Sequence, residues 1–138
     1  MLPLKLEDAV RFSDFCKKLI EFDSNVALVA IINKKGRILE LQVKEHFSSQ
    51  LDDKELEMLF MQRVLQTTMI KESDDKLGTF NYTLTKRKKF YEYTAEFGDG
   101  MILVIIDSVL SLSDIIAIID SINQKSFLEF KLIHVMSA

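Results

Sequence analysis

The sequence predicts an α+β domain built on a five-stranded, mostly antiparallel sheet with helices packed on it. Hydrophobic residues make up 48% of the 138 residues, which is enough for the core of one domain. They alternate over short segments, as in strands, and recur every three or four residues over longer segments, as in helices. Only four glycines and one proline interrupt the chain, so short connections and antiparallel hairpins are expected.

The first predicted element is a helix over about residues 4–22. Val10, Phe15 and Leu19 belong to a series of hydrophobic residues that recur mostly at spacings of three and four. Pro3 suits the first turn of a helix, where its missing N–H costs nothing. The sequence Asp-Ser-Asn at residues 23–25 ends the helical pattern.

A β-hairpin is predicted next. Residues 26–32 form a short, continuous hydrophobic run, which is typical of a strand buried on both faces. Hydrophobic and polar residues alternate over residues 38–43, which predicts a second strand with one wetter face. Residues 33–36 form the turn, in which Gly36 is free to take a positive φ.

The second predicted helix extends from Asp52 to about residue 71. Asp52 can cap the first turn, and Glu55 lies three residues later, as in a capping box. A helix whose hydrophobic residues cover a wide arc usually buries two faces, so we expect one face on the sheet and the other against a second subunit. Two lines of hydrophobic residues at helical spacing make up this arc: Met58, Met61 and Leu65, and Leu56, Phe60 and Val64.

Three further strands and a third helix follow a solvated link at residues 72–75. Alternation favours strands at residues 80–85 and 91–97, and a continuous hydrophobic run favours a buried strand at 101–106. Ser111 can cap the third helix, which is predicted to end near residue 123 and to cover one sheet face together with the first helix.

The predicted element order is therefore α-β-β-α-β-β-β-α. We assign it to a single domain over residues 1–138, with a core of about 4–124 and a C-terminal extension over 125–138. The extension alternates only partly. It is expected to form either an extra C-terminal strand or a segment packed on a partner.

Charge and cysteine content exclude several classes of protein. A net charge of −3 makes a dedicated nucleic-acid binder unlikely, since such proteins usually carry a basic face. Cys16 is the only cysteine, so no intramolecular disulfide can form. The longest strictly apolar run, residues 26–32, is far shorter than the roughly 20 residues of a spanning helix. We expect a cytoplasmic protein without a transmembrane segment or signal peptide.

The sequence contains no recognisable catalytic, cofactor-binding or metal-binding motif. His46 and His134 are the only imidazoles, and neither has the spacing of a metal ligand. Cys16 lies on the hydrophobic stripe of the first helix, where a thiol behaves as a small apolar group. We therefore predict that the protein is not an enzyme and holds no cofactor or metal.

One charged run has the character of a binding patch. Lys86, Arg87, Lys88 and Lys89 lie at a predicted hairpin tip and could meet an anionic partner, lipid headgroups or nucleic acid. The plainer interpretation, which we favour, is a solvated turn whose charges discourage edge-to-edge aggregation.

The order of elements resembles the roadblock (dynein light chain) family, within the profilin-like and longin-like α/β domains. The resemblance covers about residues 4–124 and is carried by the hairpin at 26–39 and by residues 97–106 with the helix after them. It implies a homodimer that pairs through the second helix and third strand, serving as a platform for a small GTPase or scaffold protein. The implied dimer contacts are Met58, Met61, Leu65, Tyr82 and Leu84. The alternative is that these residues fill the core of a monomer.

Two other functions are compatible with the same pattern. A PAS-like small-molecule sensor also surrounds a five-stranded antiparallel sheet with helices, and Phe80, Tyr82, Tyr91 and Tyr93 could line its cavity. A longin-like or profilin-like monomer could act as a binding module in trafficking or on filaments.

Overall fold

The computed structural model describes the backbone of residues 6–136 and the side chains of residues 10–125. The elements follow the predicted order, with one short helix added between α2 and the third strand. They are α1 (Leu6–Phe22), β1 (Val26–Ile32), β2 (Ile38–Val43), α2 (Asp53–Lys71), α3 (Asp74–Leu77), β3 (Tyr82–Lys86), β4 (Phe90–Phe97), β5 (Gly100–Asp107) and α4 (Leu112–Met136).

The five strands form one sheet in the order β2-β1-β5-β4-β3, and every neighbouring pair is antiparallel. The α+β fold with a five-stranded sheet is therefore confirmed. β1 and β5 lie at the centre because their continuous hydrophobic runs tolerate burial on both faces. The half-polar β2 and β3 form the two edges, where alternating residues can face water.

Helices cover the two sheet faces unequally. On one face, α1 and α4 enclose a core that includes Leu19, Tyr93 and Ile119. On the other face, α2 packs through Phe60 and Leu56 on side chains of β1 and β5. Because a single long helix covers this second face among the described elements, the side of α2 turned away from the sheet stays open.

Local signals in the sequence account for the start of α2 and for the turn of the first hairpin. Asp52 Oδ1 accepts a hydrogen bond from the Glu55 amide at 2.8 Å, and Glu55 Oε1 accepts one from the Asp52 amide at 3.1 Å. This reciprocal pair is the predicted capping box. Gly36 has a φ of 79°, which confirms the positive φ expected for the turn.

The C-terminal extension differs from the prediction. It continues α4 as a helix to Met136, so the extra C-terminal strand and a helix end near Asn123 were both wrong. Residues 112–136 contain no glycine or proline to stop a helix, and the partial alternation of the tail was too weak a signal for a strand. Pro3 and residue 4, at the predicted start of the first helix, lie outside the described residues. The side chains through which the tail would pack on a partner lie outside them as well.

Candidate functional site

Four large hydrophobic side chains lie exposed along one face of α2. The exposed fraction is 62% for Met58, 51% for Met61, 62% for Leu65 and 68% for Met69. Their spacing of three, four and four residues places them on one side of a helix. We call these four residues the α2 stripe. Because large exposed hydrophobic patches often belong to interaction surfaces, the stripe is the candidate interaction surface of this helix.

The α2 stripe lies opposite the buried face of the same helix. Leu56 and Phe60 are 8% and 0% exposed and pack on the sheet. The hydrophobic residues of α2 therefore lie on two faces, and within the described residues only one of these faces is covered. Met69 was missed as a site residue, although its position four residues after Leu65 was a signal that could have found it.

Two ion pairs to β4 fix the rotation of α2. The guanidinium of Arg63 donates through Nε and Nη2 to the two carboxylate oxygens of Glu92, with Nη2 3.0 Å from Oε1. Lys71 Nζ lies 2.8 Å from Glu96 Oε2, and this hydrogen bond raises the pKa of Lys71. Both pairs hold the polar flank of the helix against β4, so the α2 stripe is turned away from the sheet.

The β1–β2 turn supports the middle of the stripe. A Cβ atom on Gly36 would lie 3.0 Å from Met61 Sδ and 3.2 Å from Met61 Cα. The glycine therefore lets the turn approach the helix closely. The base of Met61 is held by this contact, while half of its side chain remains exposed.

β3 forms a free edge of the sheet. It pairs with β4 on one side, and no strand of the described chain pairs with its other side. An unpaired strand edge presents N–H and C=O groups to another strand. The edge is therefore a second surface that a partner could use, in addition to the α2 stripe.

The five residues implied as dimer contacts do not all come together. Met58, Met61 and Leu65 lie on the α2 stripe. Tyr82 and Leu84 project to the opposite sheet face, where Leu84 packs on the core under α1 and α4 and the Tyr82 ring lies 5.6 Å from that of Tyr93. These two residues can take part in an edge contact mainly through their backbone groups.

A cleft of about 470 Å³ opens between the first half of α2 and the β4–β5 side of the sheet. Its apolar lining includes Phe47, Leu59 and Phe90. Its two carboxylates are already bonded, since Glu55 completes the capping box and Glu92 binds Arg63. Met58 lines the cleft and also belongs to the α2 stripe, so the two surfaces are continuous. Its remaining lining residues are Gln50, Leu51, Gln62, Arg87 and Ile105.

Two of the four aromatic residues considered for a sensor cavity belong to the hydrophobic core. Tyr91 and Tyr93 are buried in the core under α1 and α4, and the Tyr93 hydroxyl donates to Asn123 Oδ1. Burial raises the pKa of Tyr93. Neither the cleft beside Met58 nor a smaller one lined by Val64, Thr67 and Met101 has any of the four aromatic residues in its lining.

The basic run forms an exposed hairpin between β3 and β4. The backbone of this turn is fixed to the β5–α4 loop, because Ser108 donates its hydroxyl to Lys88 O at 2.9 Å and its amide to Lys89 O at 3.1 Å. Three ion pairs occur among the described side chains, and none includes a residue of this run. We call residues 86–89 the basic hairpin.

The groups considered for chemistry are placed as structural residues. Cys16 is fully buried, and burial raises the pKa of its thiol to about 12. His46 Nε2 lies 3.2 Å from Asp107 Oδ2, which ties the loop after β2 to the end of β5. The side chain of His134 lies outside the described residues. Within residues 10–125, no group of three or more His, Cys, Asp or Glu side chains could hold a metal ion.

The fold is similar to several solved structures. Myxococcus xanthus MglB superposes with a TM-score of 0.72 at 17% identity, over 94% of this chain and 95% of that one. An MglB with a tetrameric arrangement gives 0.68 at 13% identity, over 95% and 93%. A Roadblock/LC7 domain from Streptomyces avermitilis gives 0.65 at 6% identity, over 90% and 95%.

These likenesses show that the chain has a roadblock-like fold over nearly its whole length. No family model matches the sequence, and no curated protein matches it. Among the described helices, none is long and apolar enough to cross a membrane.

Proposed function

We propose that the protein is a non-enzymatic, homodimeric interaction platform of the cytoplasm that regulates a small GTPase or a signalling complex. The observation that carries this proposal is the α2 stripe, an exposed hydrophobic surface on the helix that covers one sheet face. The free edge of β3 offers a second surface for a partner and supports the same proposal. The roadblock-like fold supports the GTPase assignment, since regulation of small GTPases is what resemblance to that family implies.

A second copy of the chain suits this surface because the surface can match itself. In a two-fold dimer, the same patch on each subunit meets its symmetry mate. Antiparallel packing would bring Met58 of one copy near Met69 of the other, with Met61 and Leu65 between them. Removal of these apolar groups from water favours association and offsets part of the entropy that the two subunits lose on pairing.

The same two-fold symmetry would also provide hydrogen-bond partners for the free backbone groups of the β3 edge. Two antiparallel β3 strands would join the five-stranded sheets of both copies and pair the exposed N–H and C=O groups. Oligomerisation is supported by the similar MglB that forms a tetrameric arrangement. A partner protein would then bind a composite surface that a single subunit cannot offer.

The substitution Met61→Glu tests the homodimer. A carboxylate at the centre of the α2 stripe would lose hydration on dimerisation, so we expect a folded monomer in light scattering after gel filtration. Val10→Glu is the matched control, because Val10 is 54% exposed and lies on α1, on the other side of the sheet. A Met61→Glu protein that dimerises like the control would exclude this interface.

Regulation of a GTPase is tested separately. Purified small GTPases loaded with GDP or with a non-hydrolysable GTP analogue should bind the wild-type dimer in one nucleotide state more tightly than in the other. Monomeric Met61→Glu should lose this binding if the platform is composite. Equal binding of both proteins would contradict a composite platform, and binding by neither would contradict the GTPase assignment.

A second candidate function, binding of a small molecule, is supported by the cleft beside Met58. Its volume of about 470 Å³ falls in the usual range for ligand sites, roughly 300–1,000 Å³, and its lining is mostly apolar. A thermal-shift screen against metabolites, repeated with Leu59→Trp to fill the cleft, separates this function from a platform. A shift that the tryptophan abolishes would support a sensor.

A further inference from the structure

We propose that the basic hairpin of one copy docks on an acidic segment of a second copy and sets the antiparallel register of the dimer. The acidic segment consists of Glu72, Asp74 and Asp75, after the end of α2. This inference rests on the proposed homodimer and adds a contact that the exposed hydrophobic surface alone does not specify.

The two charged segments lie at opposite ends of one strand edge. The basic hairpin begins at Lys86, the last residue of β3. The acidic segment is held at the start of the strand, because Asp74 Oδ1 accepts a hydrogen bond from the Phe80 amide at 3.1 Å. Since the five residues of β3 span four steps of about 3.3 Å each, the two ends of the strand are separated by about 13 Å.

A two-fold axis brings opposite ends together. If two antiparallel β3 strands pair about their central residue, Leu84, then Tyr82 lies opposite Lys86 of the second copy. Phe80, two residues before Tyr82, would then lie near the hairpin that follows Lys86 of the second copy. Because Asp74 is bonded to Phe80, the acidic segment of each subunit reaches the basic hairpin of the other. Symmetry forms this contact twice.

The charges are available for such a contact. All four side chains of the basic hairpin are exposed, as are those of Glu72 and Asp75. The ion pairs found among side chains 10–125 include neither segment. The carboxyl-terminal end of α2 adds the negative end of a helix dipole beside Glu72. Lys76 reduces the negative charge without reversing it.

Charge complementarity would specify one alignment of the two subunits, which the hydrophobic surface alone does not. The α2 stripe is a line of flexible methionines with one leucine, and such side chains repack easily in several alignments. A parallel or shifted arrangement would separate the opposite charges or bring like charges together, which disfavours wrong pairings. The basic hairpin therefore acts as an orientation device for a second copy, in preference to a site for nucleic acid or lipid.

Two charge-reversed proteins test the contact. Lys88→Glu/Lys89→Glu reverses the two charges at the tip of the hairpin and cancels its net charge, and Glu72→Lys/Asp75→Lys reverses the acidic segment without touching the Asp74 hydrogen bond. Each alone removes the attraction at both ends of its homodimer and sets like charges at the substituted positions against each other, so its dissociation constant in sedimentation equilibrium should rise about tenfold or more. Lys17→Glu/Lys18→Glu on α1 changes charge equally on the other side of the sheet and should leave it unchanged.

Mixing the two reversed proteins provides the decisive result. In the mixed dimer both ends again pair opposite charges, so heterodimers should form with near wild-type affinity while each protein alone stays weak. Raising NaCl from about 50 mM to about 500 mM should weaken the wild-type dimer, because salt screens exposed charges. The same change should remove most of the preference of the two reversed proteins for the heterodimer.

The outcomes separate this inference from the proposed function. If wild type dimerises but both reversed proteins dimerise equally well, the charge contact is wrong and the homodimer stands. The same conclusion follows if the reversed proteins are weak but mixing does not restore affinity. A wild-type protein that stays monomeric would overturn both proposals. Loss of binding to an RNA oligonucleotide or to anionic vesicles on hairpin reversal, with dimerisation unchanged, would assign the hairpin to those partners instead.

Discussion

Arg63 on α2 and Glu92 on β4 form a two-pronged ion pair beneath the helix, with the exposed fractions of their side chains at 12% and 5%. These residues are 29 positions apart in sequence. The pair lies on the same side of α2 as the buried Leu56 and Phe60, so both polar and hydrophobic contacts turn the α2 stripe away from the sheet.

Loss of one partner of this pair should be costly. Arg63→Met leaves the Glu92 carboxylate unpaired in a buried site, and we expect the free energy of unfolding to fall by about 3–5 kcal/mol. The double variant Arg63→Met/Glu92→Leu should lose much less, because apolar groups can replace both charges. Urea unfolding measures both values. A double variant as unstable as the sum of the single variants would show that the pair is not coupled.

The contact of Gly36 with Met61 gives a second prediction. Gly36→Ala places a Cβ at a φ of 79°, close to Met61 Sδ, and should destabilise the protein by about 1–2 kcal/mol. In a Met61→Ala background the part of this cost due to Sδ should disappear, while the close approach to the Cα of residue 61 and the cost of the positive φ remain. Urea unfolding of the four proteins isolates the two parts. An unchanged cost in the Met61→Ala background would mean that the side-chain contact is unimportant.

Cys16 predicts how stability depends on pH. Burial, and secondarily the charge of Glu40, raises the pKa of this thiol from 9.0 to about 12. The unfolded chain therefore loses the thiol proton first. Stability is fully present below pH 9 and should fall as pH rises towards 12, by up to roughly 1.4 kcal/mol per unit. Tyr93 contributes in the same direction above pH 10.

The variant Cys16→Ala isolates the thiol in this pH range. It should be less stable at pH 7 because it leaves a small cavity, yet its stability should decline less between pH 9 and pH 10 than that of wild type. Chemical denaturation at each pH supplies the comparison. Identical pH profiles of the two proteins would contradict a buried, protonated Cys16.

Much of the fold could be predicted because its signals are local. The continuous hydrophobic run of β1 identified a central strand, and Asp52 with Glu55 identified the start of α2. The exposure of Met58 on a helix that also buries Phe60 follows from helical spacing alone. These features depend on neighbours within a few residues.

Features that depend on distant residues could not be predicted in the same way. The side of β3 on which Leu84 lies is set by its register with Tyr93 on β4, and a strand alternates without revealing which side will meet a helix. The pairing of Arg63 with Glu92 required knowledge of which strand lies beneath α2. The length of α4 was underestimated because the partial alternation of the tail was interpreted as a strand, although the tail contains no residue that ends a helix.

The solution mass of the wild-type protein tests the central claim most directly. Light scattering after gel filtration, over a range of loading concentrations, should give about 32 kDa, twice the 15.9 kDa of one chain. That mass would agree with two copies meeting through the α2 stripe and the β3 edge. A mass of one chain at every concentration would contradict the homodimeric platform and leave the exposed methionines of α2 for a different partner.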